Sequence, residues 1–176
     1  MAKIILISGG ARSGKSNFAE QYALNTTGDW LYLATCPTTQ DPEMVERIAE
    51  HKKRRLGRGW QTKEEEIRLA ATLTALPSLT NILIDCLTMW ISNLLLAADG
   101  RLSEIEITKR CSKLLNACRL RTGTHIMVSG EVGSGIVPEN DLARRYRDLL
   151  GRCNQIIAAE ADEVFLVSCG IPIQIK

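Results

Sequence analysis

Residues Gly9-Gly10-Ala11-Arg12-Ser13-Gly14-Lys15-Ser16 constrain this chain more than any other stretch. They follow the apolar run KIILIS (3–8) and meet the spacing G-x-x-x-x-G-K-[ST]. In a helix the glycines are costly, and in a strand Gly-Gly-Ala-Arg-Ser-Gly has little to pack. The segment makes sense as a loop between a strand and a helix. There the glycines let backbone N–H groups turn inward around phosphate oxygens, and the helix N-terminus adds partial positive charge. Lys15 is expected to reach the β- and γ-phosphates of a nucleoside triphosphate, and Ser16 to hold Mg²⁺.

The rest of the chain alternates short apolar runs with longer amphipathic ones. WLYLAT (30–35), NILIDC (81–86), HIMVSG (125–130) and EVFLVS (163–168) read, like 3–8, as strands buried on both faces. IPIQIK alternates apolar with polar and follows the fifth run after only Cys169-Gly170, which predicts an antiparallel hairpin closing the sheet edge. Helices are expected after Lys15, from DPEM with Asp41 as cap and Pro42 at the first position, and after Pro138. Two more are expected at capping boxes pairing Thr62 with Glu65 and Ser103 with Glu106. In the last helix Leu142, Tyr146, Leu149, Cys153 and Ile156 form one predicted apolar stripe. The expectation is one α/β domain over residues 1–176, with a mostly parallel sheet.

Composition narrows the function classes. A net charge of +2 does not argue for nucleic acid or an anionic membrane. No stretch approaches the length of a membrane span, and no signal peptide is read at the start. Six cysteines form no C-x-x-C pair, and two histidines are too few for zinc spacing, so a reduced cytoplasmic protein is expected.

A phosphate loop calls for an acid at a strand end, and Asp85 closes NILID. It is read as orienting Mg²⁺, against the plainer reading of a strand-end cap. Three classes stay open: a small-molecule kinase, a nucleotide-driven switch and a nucleotidyl transferase. The chain shows no N-K-x-D-like motif of GTPase switches, which favours an enzyme on a small substrate. His51 lies three residues after Ile48 and seven after Met44, so all three share a helix face. Lys52, Lys53, Arg54 and Arg55 follow it. The plain reading is a helix-end histidine meeting the helix dipole. The sharper one is a nucleophile kept neutral by adjacent cations, which would also neutralise a polyphosphate. His125 opens a buried run and is read as structural. In EVGSGIVPEN (131–140), Gly133 and Gly135 permit close backbone approach and Glu131 is placed to act on a substrate hydroxyl; a plain connecting loop is the alternative.

These residues together resemble the bifunctional adenosylcobinamide kinase/adenosylcobinamide-phosphate guanylyltransferase family of cobalamin biosynthesis. GGARSGKS, YLAT, the E-M-x-x-R-I-x-x-H-K pattern at 43–52, EVGSGIVPEN, GRCNQ and the AADEV stretch carry the resemblance along nearly the whole chain. The resemblance implies a P-loop sheet of the RecA type and a homotrimer. It also implies two reactions: phosphorylation of the aminopropanol hydroxyl of adenosylcobinamide by ATP or GTP, then transfer of GMP from GTP through a guanylylated histidine to adenosylcobinamide phosphate. The family histidine falls on His51. Family nucleotide contacts fall on Gly9 to Ser16, on Ala34, Thr35 and Cys36, on Lys52 to Arg55, on Glu64 and on Asp85. Cys36 stands where the family often has serine, and Glu50 where members can carry a second histidine.

Overall fold

A computed structural model describes residues 2–37, 41–77 and 80–176, and in residue 47 the backbone only. Its elements run β1 (Ala2–Gly9), α1 (Lys15–Leu24), β2 (Trp30–Ala34), α2 (Pro42–Arg55), β3 (Gln61–Glu64), α3 (Leu69–Ala75), β4 (Asn81–Asp85), α4 (Leu87–Ala97), α5 (Glu104–Arg119), β5 (Gly123–Gly130), α6 (Asp141–Glu160), β6 (Glu163–Ser168) and β7 (Ile171–Gln174). All seven strands belong to one sheet in the order β3-β2-β4-β5-β1-β6-β7. Every pairing is parallel except β6 with β7, which form the expected edge hairpin.

The continuous apolar runs are explained by the two faces. Ile4, Leu6, Leu33, Ile82, Ile84 and Met127 pack against the layer that includes α4, α5 and α6. Their alternate neighbours Ile5, Ile7, Tyr32, Leu83, Ile126 and Val128 pack toward Ala19 and Ala23 of α1. Successive side chains point to opposite sides, so both sets must be apolar. His125 sits in this core, fully buried, in register with Ile4 on β1 and Ile82 on β4.

Capping follows the sequence at two helices. Asp41 accepts from the Glu43 N–H with Pro42 at the first position of α2, and Ser103 and Glu106 close a full capping box on α5. The box expected at Thr62–Glu65 does not form. Gln61–Glu64 is instead an edge strand whose backbone pairs with β2, and the ladder outweighs the local capping signal. Glu65 serves the next helix: it accepts from the N–H groups of Ile67 and Arg68 and from the Thr72 hydroxyl. The predicted stripe of α6 also shifts. Leu149, Cys153 and Ile157 are buried, whereas Leu142, the second residue of the helix, is exposed.

Candidate functional site

The loop 9–14 is bent by local requirements. Gly14 caps α1 at φ 93°, in the left-handed region that favours glycine, with no side chain closing the helix end. At Gly9 a Cβ would stand 2.5 Å from the Val167 carbonyl oxygen. Two neighbours brace the loop: Glu131 N–H donates to the Gly9 carbonyl at 3.0 Å, and Gly170 N–H to the Ser13 carbonyl at 2.9 Å. The segment after β5 and the β6–β7 turn therefore set its shape. Lys15 points its Nζ into the loop, donating to the Gly10 carbonyl at 2.9 Å.

A cavity of about 310 Å³ opens beside the loop, where the strands end. This is the crevice at the carboxyl ends of an open parallel sheet. Lys15 and Ser16 line it from α1, Ala34 and Cys36 from the end of β2, Asp85 from β4 and Glu131 from the segment after β5. Met44, Ile48 and His51 line it from α2, confirming the shared face expected from their spacing, and Lys52, Arg55 and Glu64 complete that side. Ala11 is the other loop residue on the wall. Strand order separates β1, which leads into Lys15, from β4, which ends in Asp85, by β5 alone. A second, more open recess of about 650 Å³ continues past Lys52, Arg55 and Glu64 to Trp60. Another recess, of about 790 Å³, lies elsewhere, between the 100–104 turn and α6, with none of the candidate residues on its wall.

Other expected contacts are placed differently. Thr35 is fully buried, and its hydroxyl both donates to the Cys86 carbonyl and accepts from the Cys86 N–H at 2.7 Å. Its carbonyl takes Asn93 and its N–H donates to the Asp85 carbonyl. Thr35 thus fixes the end of β4 and turns no polar group into the cavity. Gly133 and Gly135 lie in an exposed segment beyond the wall, with Gly133 N–H bonded to the Glu131 carboxylate at 2.6 Å.

The surroundings of His51 hold carboxylates as well as the expected cations. Of the four basic residues, Arg54 contacts it, with Nη2 3.0 Å from Nδ1. Lys52 reaches toward Glu64 at 3.9 Å and Lys53 is exposed. Arg55 is buried with its guanidinium 3.5 Å from the centre of the Tyr32 ring. Two carboxylates face the same nitrogen: Glu20 Oε1 at 3.6 Å and Asp85 Oδ2 at 3.7 Å. Tyr32 donates its hydroxyl to Asp85 Oδ2 at 2.9 Å. Burial, then the Asp85 charge, raises the Tyr32 pKa well above the ordinary value, so it stays a donor. Glu20, Tyr32, Cys86, Thr88 and Met89 were not singled out from sequence. Only their places in the fold bring them here.

The arrangement holds a phosphate-binding loop, a lysine, a hydroxyl, a strand-end carboxylate and an imidazole around one volume. Among the described residues no three His, Cys, Asp or Glu side chains come together as a metal cage. Ser16 and Asp85 do offer two hard oxygen donors on one wall, which fits an Mg²⁺ brought in with its nucleotide rather than a resident ion.

Residues 5–175 match the family model for cobinamide kinase / cobinamide phosphate guanyltransferase. The chain is 42% identical to the bifunctional adenosylcobalamin biosynthesis protein CobU of Salmonella typhimurium, covering 98% of this chain and 99% of that one. It is 41% identical to the bifunctional adenosylcobalamin biosynthesis protein CobP of Pseudomonas aeruginosa, covering 97% and 96%. Among solved structures the RadB recombinase superposes with a TM-score of 0.53 at 16% identity, covering 93% of this chain and 73% of its own. A type III secretion ATPase does so with 0.54 at 15%, covering 98% and 56%. At those identities the likeness is one of fold: a P-loop sheet of the kind expected.

Proposed function

The chain belongs to the cobinamide kinase / cobinamide phosphate guanyltransferase family, and from that membership we propose how its residues divide two reactions. The protein is a bifunctional transferase of cobalamin biosynthesis, phosphorylating a cobinamide and guanylylating the phosphate it has made.

In the first reaction the acceptor is the aminopropanol hydroxyl of adenosylcobinamide, and the donor is ATP or GTP. Backbone N–H groups of residues 9–16 and the Lys15 ammonium hold the β- and γ-phosphates. Glu131 lines the same cavity and is assigned to the incoming hydroxyl. Ser16 and Asp85 would hold Mg²⁺, which supplies charge neutralisation on the phosphate oxygens. In the second reaction the His51 imidazole attacks the α-phosphorus of GTP and pyrophosphate leaves. The guanylyl group then passes to adenosylcobinamide phosphate, giving adenosylcobinamide-GDP. Lys52, Arg54 and Arg55 offset charge on the departing pyrophosphate. Cytoplasmic location and a homotrimer belong to the same reading. No disulfide joins any of the six cysteines, and among the described residues no helix is long and apolar enough to cross a membrane.

The observation that carries the reading is that Lys15, Asp85 and His51 line one cavity although they come from three different elements. The experiment is incubation with α-labelled and γ-labelled GTP. The α-label should become bound to His51 in an acid-labile, base-stable linkage, as a phosphoramidate is, and His51→Ala should abolish it. Phosphorylation of the corrinoid without any α-label on the protein would leave a kinase alone, with His51 in a structural role.

A further inference from the structure

Behind the His51 ring stands a carboxylate that no motif marks. Glu20 lies on α1, five residues after Lys15, and is only 1% exposed. It accepts from Arg54 Nε at 3.0 Å and Nη2 at 3.4 Å, and stands 3.8 Å from Arg55 Nη1 and 3.6 Å from His51 Nδ1. A buried carboxylate is costly unless paired, and here all its partners come from α2. Burial pushes its pKa up, but the contacts with His51 and Arg54 outweigh this and hold it below the ordinary value, so it is ionised. Of the described α2 side chains only Arg55 is buried, so this ion cluster is the main tie between the histidine helix and the phosphate-loop helix.

The ring nitrogens are not equivalent. An arginine N–H only donates, so the 3.0 Å contact from Arg54 makes Nδ1 an acceptor and leaves the proton of a neutral ring on Nε2. Nε2 is the nitrogen with no hydrogen bond to the described residues, and it attacks only without that proton. The other tautomer needs an acceptor at Nδ1. Asp85 is near enough, but Tyr32 already donates to it and it faces Ser16 across the phosphate site. Glu20 does not line that cavity, and its present donor is Arg54, whose place at Nδ1 is the one to be exchanged.

Resting on the reading of His51 as the guanylylated residue, we propose that Glu20 is the positioning residue of the transfer step. It takes the Nδ1–H of His51 when Arg54 swings from the ring to the phosphates of the nucleotide. Nε2 then presents its lone pair to the α-phosphorus. The N–P bond forms as the bond from phosphorus to the bridging oxygen breaks, its electron pair leaving with pyrophosphate. The ring keeps the Nδ1 proton and becomes a cation, which the Glu20 carboxylate offsets. When the acceptor phosphate takes the guanylyl group, the pair of the N–P bond returns to Nε2.

Glu20→Gln keeps the shape and removes the charge. With α-labelled GTP the variant should accumulate label on His51 roughly 10²–10⁴-fold more slowly than wild type. A lower pyrophosphate concentration should reverse half of that label, because the cationic adduct has lost its counter-charge; a purely structural role would not move that balance. A second measurement uses the wild-type protein with nitrogen-15 histidine. The proton of His51 should sit on Nε2 in the free protein. With Mg²⁺ and a GTP analogue carrying a methylene bridge between the α- and β-phosphorus, it should sit on Nδ1. If Glu20→Gln does not fold, this tautomer measurement decides alone. An unchanged tautomer overturns the proposal, as does a variant with wild-type labelling rate and reversal. Wild-type protein that takes up no label removes the His51 reading itself, and the role of Glu20 with it, before any variant is made.

Discussion

Lys15 shows how much of a side chain's placement is written in its own loop. Its ammonium sits 2.9 Å from the Gly10 carbonyl of the loop it closes, a placement legible from eight consecutive residues. Lys15→Ala removes a preorganised cation where charge builds on the phosphates. A donor of that kind contributes about 3–4 kcal/mol to the transition state, so both phosphorylation and guanylylation should fall roughly 10²–10³-fold. The thermal midpoint should stay near that of wild type, since the side chain packs in no core cluster. Near-normal turnover in both assays would exclude the phosphate-loop assignment. Glu20 is the opposite case. In sequence it is one more glutamate on a helix. Its meaning comes from Arg54, 34 positions away, which reaches it only after α1 and α2 meet.

At the scale of elements, buried strands were legible because a strand covered on both faces must be apolar throughout, and β1, β2, β4, β5 and β6 read that way. Strand β3 was not, because Gln61–Glu64 is exposed and polar and is held by backbone pairing with β2, which leaves no side-chain pattern. Helix α2 was legible through its cap and its shared Met44–Ile48–His51 face. One buried strand also carries a pH dependence. Burial, helped by Arg121 and Arg119, lowers the pKa of His125 from 6.5 to about 4. The unfolded chain therefore binds the extra proton first. The contribution of neutral His125 is complete above pH 6.5 and is lost as pH falls toward 4. Between pH 7 and pH 4.5 this group alone should take away about 2–3 kcal/mol. Urea titrations across that range should show a flatter pH profile in His125→Leu than in wild type. Parallel profiles would mean that the buried imidazole is not the acid-sensitive group.

For the whole molecule, the sheet order decides both where the cavity opens and which strand is left at the edge. The edge strand β7 presents exposed Ile171 and Ile173, and Ile175 is exposed just beyond it. An apolar open edge calls for a cover, and the proposed trimer would supply one. Light scattering at micromolar concentration should give the mass of three 19.5 kDa chains, and a mass of one chain would dismiss that assembly. The sequence by itself determined the class of fold, the phosphate loop and the family, because spacing and apolar runs act through neighbours along the chain. It also determined which face of α2 His51 shares. Tertiary structure alone decided that Thr35 turns inward, that β3 forms an edge, and that Glu20, Arg54 and Asp85 converge on one nitrogen of His51. Those outcomes depend on backbone pairing and ion contacts between residues far apart in the chain, and such contacts leave no period to read.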